Sequence, residues 1–420
     1  MSRLAVRPLT LLRLLALAAA LLAVVALGQS ALAGDPAVGA PATTDDTLVA
    51  TVDGTGPGQI VAYGPDGNLQ YRNQTWDIYH DVDPSPVGDR TVEYVASDQD
   101  AADCDGCLLN VVERLNLTTG EVTRLYTTVA DVRGSKQIHD VDRVNDSVLL
   151  IADISHPDRV YTVNTTTGEV LWEWRVSSAF SPDSGGRYPA DWTHLNDVEL
   201  LPDGRVMVNL RNHDQVVFLE PGEGVQANWT LGADGAHDRL YEPHNPDYIP
   251  RSRGGPAVLI ADSENNRLVE YRRTDGNWTR TWRWADRRLQ WPRDADRLPS
   301  GRTLVADSHG SRVLVVGRNG SVAASAPFPD GVYDVELLGT GDESRGPTAD
   351  RAGLTSRTPE ATGLAPAYRV ARAAPPLVLH GLLFVLPTWT TTADAATLLV
   401  TVPVVAVWLL VEGVAWLWRR

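Results

Sequence analysis

The chain has 420 residues, 43% of them hydrophobic, which is enough to build the core of one large domain or of two. Its formal net charge is −16, and Lys136 is the only lysine among 37 basic residues. So acidic a surface argues against nucleic acid as a partner, because phosphates need a basic face. It resembles the surfaces of proteins from salt-loving microbes; a GC-rich genome would explain the missing lysine but not the excess of aspartate.

The N-terminus carries an export signal. Arg3, Arg7 and Arg13 precede an apolar run over residues 14–27, and the small residues at 31–33 form a cleavage pattern. Residues 1–33 are therefore predicted to be a signal peptide or, if uncut, a signal anchor, and residues 34–47 a linker. Asn-x-Ser/Thr sequons, more than the about two expected by chance, predict an exported glycoprotein; they lie at Asn73, Asn116, Asn145, Asn164, Asn228, Asn277 and Asn319.

The region 48–338 is a repeat of short β-strands. Alternating apolar residues are broken by Gly, Pro, Asn and Asp every five to eight positions, a pattern that predicts antiparallel strands. Gly-containing turns recur six times, and so does a first-strand motif such as the His-Asp-Val-Asp at 80–83 and 139–142. The spacing of roughly 50 residues is typical of propeller blades.

The two repeat series are offset at the ends of this region. The first turn, at Gly67, has no preceding first-strand motif, and the last motif, which starts at Tyr333, has no following turn. Joining them makes one composite blade, which is how propellers close their ring and protect their edges. The sequence therefore predicts an all-β fold: a six-bladed β-propeller closed by mixed N- and C-terminal strands.

First strands line the central channel of a propeller, so residues at their entrances converge at its mouth. His80, His139, His194, His244 and Arg293 occupy corresponding positions in five units by sequence spacing. Imidazoles with a guanidinium suit an anionic ligand, since they stabilise oxyanions or accept a transferred group. They also suit a transition metal. A purely structural role, with His-Asp pairs tying neighbouring strands together, is the competing interpretation.

Four stretches resemble the arylsulfotransferase (arylsulfate sulfotransferase) family, particularly its archaeal branch. They are Asp-Trp-Thr-His-Leu-Asn at 191–196, Arg-Asn-His-Asp-Gln at 211–215, Glu-Pro-His-Asn at 242–245, and the segment 261–270. The resemblance covers about residues 48–338. It implies a six-bladed propeller that moves a sulfuryl group from a phenolic sulfate to another phenol, without a nucleotide donor, through a sulfated histidine.

The resemblance also implies roles for single residues. His194, His244 and Arg267 match family positions, and either Asn196 or Asn245 matches the family asparagine. At the expected nucleophile position the chain has Arg293, whose guanidinium has no available lone pair near neutral pH. Either His139 or His194 carries the sulfuryl group, or no such transfer occurs. His80, Trp192 and Trp291 complete the predicted substrate-binding set, although rim packing would equally explain the two tryptophans.

The cysteine pair at Cys104 and Cys107 is predicted to form a local disulfide in an exported domain. No cofactor and no metal site are predicted. Calcium binding at the Asp-rich turn over residues 98–105 is the one possibility retained, against a solvated acidic face.

The C-terminal end is membrane-like. Residues 339–374, rich in Gly, Arg, Thr, Ala and Pro, are predicted to be a flexible tether. Residues 375–389 form a short apolar segment, interfacial or partly inserted, and residues 395–418 a transmembrane helix followed by Arg419 and Arg420. The expected location is the cell membrane, with the propeller on its extracellular face.

Three functions follow from these patterns. The first is a membrane-anchored extracellular arylsulfotransferase that acts on a small aromatic sulfate. The second is a non-catalytic propeller that binds an anionic or glycan ligand at the same mouth. The third, metal-dependent hydrolysis, requires three or more histidines to meet around one ion.

Overall fold

The computed structural model describes residues 8–33, 46–53, 57–99, 106–130, 137–286, 288–328, 331–358 and 392–418, with a few residues between 378 and 390. The chain divides into two compact units, residues 37–358 and the two terminal segments 1–36 and 359–420. The first unit holds all the described strands, and the second holds two long helices.

The strands form six antiparallel sheets. Blade 1 has β4 (Ile78–Pro84), β5 (Thr91–Asp98), β6 (Leu108–Asn116) and β7 (Val122–Ala130). Blade 2 has β8 (Ile138–Asn145), β9 (Val148–Asp153), β10 (Arg159–Asn164) and β11 (Val170–Arg175). Blade 3 has β12 (Leu195–Leu200), β13 (Val206–Leu210), β14 (Gln215–Glu220), β15 (Gly224–Val225) and β16 (Leu231–Gly232).

The remaining blades complete the ring. Blade 4 has β17 (Pro243–Ile249), β18 (Ala257–Asp262), β19 (Arg267–Thr274) and β20 (Asn277–Trp284). Blade 5 has β21 (Pro292–Arg297), β22 (Thr303–Asp307), β23 (Arg312–Val316) and β24 (Val322–Pro327). Blade 6 has β25 (Val332–Leu337) together with β1 (Leu48–Val52), β2 (Gln59–Tyr63) and β3 (Leu69–Asn73).

Blade 6 confirms the predicted composite closure. Strand β25 pairs antiparallel with β1, with Leu337 opposite Leu48 and Val335 opposite Ala50. Six buried apolar clusters join the blades in neighbouring pairs; one of them packs Val49 of blade 6 against Tyr94 of blade 1. The core therefore lies between the sheets, and the fold is the six-bladed propeller that the repeats predict.

Each first strand contacts the first strands of its two neighbours, so β4, β8, β12, β17, β21 and β25 surround one central channel. All six strands carry an irregularity in register near their entrance. In blade 2 it falls between Ile138 and Asp140, so that His139 is the extra residue of a bulge. A bulge re-aims the side chain of its extra residue, which explains why a histidine and the carboxylate after it can both face the channel.

Carboxylates on the first strands hold neighbouring blades together. Asp81 accepts the backbone N–H of Val141 at 3.1 Å, and Glu199 accepts that of Tyr248 at 2.8 Å. Equivalent bonds run from Val198 to Asp140, from Leu200 to Asp142, from Val335 to Asp294 and from Val82 to Asp334. The acidic residues of the repeated motif therefore make these ties between inner strands, and His80 adds another, since its Nδ1 lies 3.3 Å from the Ile138 carbonyl of the next blade.

Residues 339–358 differ from the flexible tether predicted by their composition. Ser344 accepts the N–H of Arg297 at 2.6 Å and contacts Asp247, and the Ala349 N–H donates to Glu270 at 2.8 Å at the start of helix α2 (Ala349–Ala352). Arg357 pairs with the backbone of Ala285. This segment belongs to the propeller; the rest of the proposed tether, from 359 onward, lies outside the described residues.

The second unit contains helices α1 (Pro8–Ala33) and α3 (Thr392–Leu417), which contact each other. Their stretches 9–29 and 397–417 are long and apolar enough to cross a membrane, by length and composition. The Arg13 guanidinium donates to the Glu412 carboxylate at 2.9 Å, and Thr401 lies against the carbonyl of Ala19, so the helices run antiparallel. Glu412 therefore has a partner on the N-terminal helix. Most of the apolar segment 375–389 lies outside the described residues.

The ties between blades predict a stability difference between two substitutions of Glu199. In Glu199→Ala the buried N–H of Tyr248 loses its acceptor, which costs about 1–3 kcal/mol. Glu199→Gln removes the same charge but keeps an oxygen at that place, so it should unfold at a higher temperature than the alanine variant. Thermal denaturation of both variants in one buffer measures the difference; equal midpoints would refute this role of Glu199.

Candidate functional site

Six side chains form a ring at the channel mouth. Five are the second residues of their strands, and His80 is the third residue of β4; the ring consists of His80, His139, Asn196, His244, Arg293 and Tyr333. The position of blade 3 corrects the sequence-based alignment, which placed His194 there. His194 instead directly precedes β12, as Glu242 precedes β17 and Trp291 precedes β21. All three have left-handed φ angles, of 44°, 46° and 51°, which marks them as equivalent.

His194 nevertheless reaches the ring. The His80 and His139 rings stack at 4.2 Å between centroids, and the His194 ring meets His139 edge-on at 4.9 Å. Tyr333 closes the group: its hydroxyl lies 3.2 Å from His139 Nδ1, and its ring centroid lies 5.0 Å from that of His80. Three of the predicted histidines thus form one continuous cluster.

His139 is the most enclosed member of this cluster. It is 2% exposed, and its Nε2 atom is buried without a hydrogen-bond partner in the described part of the chain. Burial, followed by the charges of His80 and His194, lowers the pKa of His139 well below its usual value. His139 is therefore neutral, and no substrate-sized group has access to it.

Asp53, which directly follows β1, adds a carboxylate beside the ring. It lies 3.4 Å from His80 Nε2 and 3.9 Å from the Arg293 guanidinium. Burial alone would raise the pKa of Asp53, but His80 and Arg293 outweigh it and lower the pKa. Asp53 is therefore ionised and holds two ring members in place. Sequence reasoning missed it, because only the closure of blade 6 brings β1 to the mouth.

His194 forms a charge-assisted pair with Asp191. Its Nδ1 lies 2.7 Å from the Asp191 carboxylate, and its side chain is 24% exposed. Burial and then Arg211 lower the pKa of His194 to about 4, although Asp191 opposes them. Burial raises the pKa of Asp191, but the hydrogen bond to His194, its charge and that of Arg211 together outweigh burial and lower this pKa to about 2. An ionised Asp191 makes Nδ1 the N–H donor and leaves the Nε2 lone pair available.

His244 is held in a fixed orientation by acceptors on one side. Its Nδ1 lies 2.8 Å from Ser263 Oγ and 3.2 Å from the Glu242 carbonyl, while the Ser263 hydroxyl itself donates to the Pro292 carbonyl at 2.6 Å. Nδ1 must therefore carry the proton, and Nε2 carries the lone pair. Burial and then Arg293 lower the pKa of His244 well below its usual value, so this imidazole is neutral.

Arg293 and Trp291 join the same mouth. The Arg293 guanidinium lies 4.5 Å from the ring centroids of both Trp291 and Tyr333, and the Trp291 ring centroid lies 6.0 Å from that of His244. Stacking of this kind fixes the cation while leaving hydrogen-bonding edges for an anion. Arg293 and Trp291 thus lie at the same mouth as His244.

Arg267 lies in a different environment. Its Nε donates to Asp262 at 2.5 Å, and its Nη2 donates to the carbonyls of Asp238 and Arg239. The same Asp–Arg clamp recurs in the pairs Asp153–Arg159 and Asp307–Arg312. Because the contact repeats in blades with different mouth residues, it stabilises the hairpin between the second and third strands. Among the described residues Arg267 has no contact with the ring.

Three other residues predicted to bind substrate, Trp192, Asn196 and Asn245, have structural positions of their own. Trp192 is 2% exposed, donates to the Ser184 carbonyl at 2.8 Å and belongs to the apolar cluster between blades 2 and 3. Asn196 accepts from Asn209 at 2.5 Å, so it occupies its ring position as part of a buried amide network. Asn245 has a left-handed φ of 32° and sits in the register irregularity of β17, with its buried Oδ1 unpaired among the described residues.

Arg211 is a site residue that sequence reasoning did not include. Its guanidinium pairs with Glu242, and its charge lowers the pKa of both His194 and His244. Together with Asp191 and Tyr241 it lines a cleft of about 380 Å³. Arg211 begins the stretch 211–215, one of those that resemble the arylsulfotransferase family. Nothing in the sequence assigned it, rather than Arg267, to the site. Asp191, the partner of His194, thus lies in the wall of an open cleft.

The predicted disulfide and the predicted calcium site both include residues that the structure does not describe. Cys107 is disulfide-bonded, while Cys104 lies outside the described residues. Of the Asp-rich turn proposed for calcium, residues 100–105 also lie outside them.

Comparisons with known proteins give one family match and several similar solved structures. A family model described as Arylsulfotransferase (ASST) matches residues 136–244, which include His139, His194 and His244. No curated protein matches the chain. Among solved structures, a Bacteroides caccae protein of unknown function is similar at 13% identity, over 69% of this chain and 97% of that one, with a TM-score of 0.48. A periplasmic gluconolactonase from Pseudomonas aeruginosa is similar at 15% identity, over 70% and 98%, with a TM-score of 0.46.

Substitutions of Arg267 and Arg293 should have different effects, the first on stability and the second on anion binding. Arg267→Ala strands the buried Asp262 carboxylate and should cost about 3–5 kcal/mol in unfolding free energy, with anion binding at the mouth unchanged. Arg293→Ala should weaken binding of inorganic sulfate about tenfold or more and cost less stability. Denaturant unfolding and calorimetric sulfate titration measure the two effects. Loss of sulfate affinity in Arg267→Ala at full stability would contradict the assignment.

Proposed function

We propose that this protein transfers a sulfuryl group between phenolic sulfates and phenols, with His194 as the nucleophile. The observation that carries the proposal is the His194–Asp191 pair, at 2.7 Å: the His194 side chain is 24% exposed, and Asp191 lines the cleft together with Arg211. The match of residues 136–244 to the arylsulfotransferase family model supports the reaction type. Helices α1 and α3 support a membrane anchor for the propeller, with the extracellular side as its proposed location.

His194 suits the nucleophile's role better than the other histidine considered, His139. A nucleophile must reach the sulfur of a bulky aryl sulfate, and the His194 side chain is 24% exposed whereas His139 is 2% exposed. The imidazole becomes cationic when its Nε2 is sulfated, and the ionised Asp191 on Nδ1 stabilises that charge. The arrangement follows the general logic of a nucleophile or base oriented by a third group.

In the first half-reaction, the Nε2 lone pair of His194 forms a bond to sulfur, and the bond from sulfur to the phenolic oxygen breaks. The phenolate leaves with the electron pair. Negative charge is spread over the sulfuryl oxygens and the leaving oxygen in this step. Arg211 and Arg293, whose charges both act on His194, supply fixed positive charge for those oxygens.

In the second half-reaction, the oxygen of an acceptor phenol attacks the same sulfur, and the bond from sulfur to His194 Nε2 breaks. The phenol must lose its proton as it attacks. The proton passes to water as the oxygen attacks. His244 is 1% exposed, as enclosed as His139, so its proposed role is to keep a neutral, fixed imidazole behind the site, with Nδ1 held by Ser263 and the Glu242 carbonyl. Trp291 is the proposed aromatic wall for the substrate ring.

One observation favours the second function, a propeller that binds an anion without turnover. The blade 5 ring position, where the resembled family has its nucleophile, holds Arg293 in this chain. A binding protein would retain affinity for an aryl sulfate without releasing phenol. The following experiment separates the two functions.

The proposal predicts phenol-dependent turnover of a chromogenic aryl sulfate by the full chain in detergent. His194→Ala should lose at least about 10³-fold in kcat, and Asp191→Asn about 10²–10⁴-fold, with the histidine orientation lost. The exposed His156, outside the ring, gives the control His156→Ala, which should keep wild-type activity. Mass spectrometry of a donor-only reaction should find the sulfuryl group on His194. Turnover that persists in His194→Ala, or none in the folded wild type, overturns the proposal.

The pH dependence gives a second check. His194 must be neutral to attack, and its pKa is lowered to about 4 by burial and Arg211, against Asp191. In the folded protein His194 therefore stays neutral down to about pH 4. Protonation of His194 should stop the first half-reaction only as the pH falls through that value. The rate of the initial phenol burst should therefore be flat from about pH 5.5 to 8. A midpoint near 6.5, the value of an unperturbed imidazole, would show that another group reacts.

A further inference from the structure

The channel behind the histidine ring is lined by carboxylates. The first strands of five blades each carry two acidic residues two positions apart, and blade 4 carries Asp247. Residues two apart on a strand face the same side, so these side chains point into the channel together. Asp342, from the segment after β25, joins them. Such a concentration of buried negative charge needs compensation.

Two groups of these carboxylates are close enough to share an ion. Oxygen atoms of Asp294, Asp334 and Glu336 lie within 4.8 Å of one another, and so do those of Asp81, Asp83 and Asp342. The first group is buried throughout and spans blades 5 and 6. The second joins blade 1 to the segment that follows the last strand. We call them the blade 5/6 cluster and the blade 1 cluster.

Unpartnered oxygens independently point to a missing ligand. Glu336 is 2% exposed, and its Oε2 atom is buried without a hydrogen-bond partner within the described residues. Oδ1 of Asp83, in the other cluster, is buried in the same condition. No arginine of the described chain forms an ion pair with any member of the two clusters. A buried carboxylate without a partner costs several kcal/mol of free energy, so a cation is the simplest occupant of each cluster.

We propose that the blade 5/6 cluster and the blade 1 cluster each bind a calcium-type divalent cation. The donors are carboxylate oxygens only, which hard cations prefer, whereas zinc prefers nitrogen and sulfur. Several of these carboxylates also accept backbone N–H groups, which fixes their position: Asp334 accepts from Val82 at 2.8 Å and from Val335 at 2.9 Å. Calcium accepts this irregular geometry more readily than magnesium.

The two clusters lie where the ring of blades is closed. The blade 5/6 cluster links the last uniform blade to the composite blade, and the blade 1 cluster links the next blade to the terminal segment of the propeller. A cation at each place would connect elements that are far apart in sequence. Bound calcium therefore stabilises the closed ring, whatever reaction takes place at its mouth.

The test measures calcium content and thermal stability on the full chain, stripped with EDTA and then dialysed against calcium. Wild type should retain one equivalent of calcium per cluster, and calcium should raise its unfolding midpoint by several degrees. Glu336→Gln should lose the ion of the blade 5/6 cluster, and Asp83→Asn that of the blade 1 cluster. Glu199→Gln removes a channel carboxylate outside both clusters and is the matched control; it should keep both ions.

Three outcomes would overturn the proposal. One is wild type that binds no calcium and shows no shift in unfolding midpoint. Another is Glu199→Gln losing as much calcium as Glu336→Gln, which would mean diffuse attraction to the acidic channel. The third is an unfolding midpoint that rises when the pH is lowered and does not change when calcium is added. That result would mean that protons, not calcium, neutralise these carboxylates.

Discussion

The whole arrangement depends on the irregularity in register near the entrance of every first strand. A regular strand would send a ring residue and the acid after it to opposite faces. The bulge lets both approach the channel axis, so a layer of imidazoles and arginine forms at the mouth and a layer of carboxylates behind it. The carboxylates then accept backbone N–H groups of the next blade, as Asp81 does from Val141. One local distortion thus positions the site and ties the ring.

The two layers have opposite electrostatic character. At the mouth, burial and neighbouring cations keep His139 and His244 neutral, while Arg211 and Arg293 remain as fixed charges. Such a surface attracts anions, and the ionised carboxylates of Asp191 and Asp53 are already paired, the first with His194 and the second with His80 and Arg293. Behind the mouth, burial and mutual repulsion raise the pKa of carboxylates such as Asp81. An anion is therefore held at the mouth and repelled from the channel.

Much of the fold could be predicted from the sequence, because its turns and first-strand motifs repeat visibly and their offset reveals the composite blade. The bulges themselves leave no signal in the sequence, but they occur in all six blades and do not explain the misplacement of His194. The Asn-Asp-Val-Glu at 196–199 has the spacing of the His-Asp-Val-Asp at 139–142, and this spacing already makes Asn196 the ring member of blade 3. Arg267 could have been recognised as structural, because Asp-to-Arg spacing recurs in three blades. The composition of residues 339–358 is typical of a tether. The segment is nevertheless ordered because it supplies hydrogen-bond partners to the buried Glu270 side chain and to the backbone of Arg297.

The arginine in blade 5 is compatible with transferase chemistry once the register is known. His194 does not belong to the ring layer; like Glu242 and Trp291, it stands two residues before the ring residue of its blade, ahead of the strand. In the proposed reaction the imidazole of blade 3 attacks the sulfur, and blade 5 supplies charge rather than a second nucleophile. Arg293, fixed between Trp291 and Tyr333, supplies that charge. An arginine at the ring position of blade 5 is thus compatible with a reactive imidazole in blade 3.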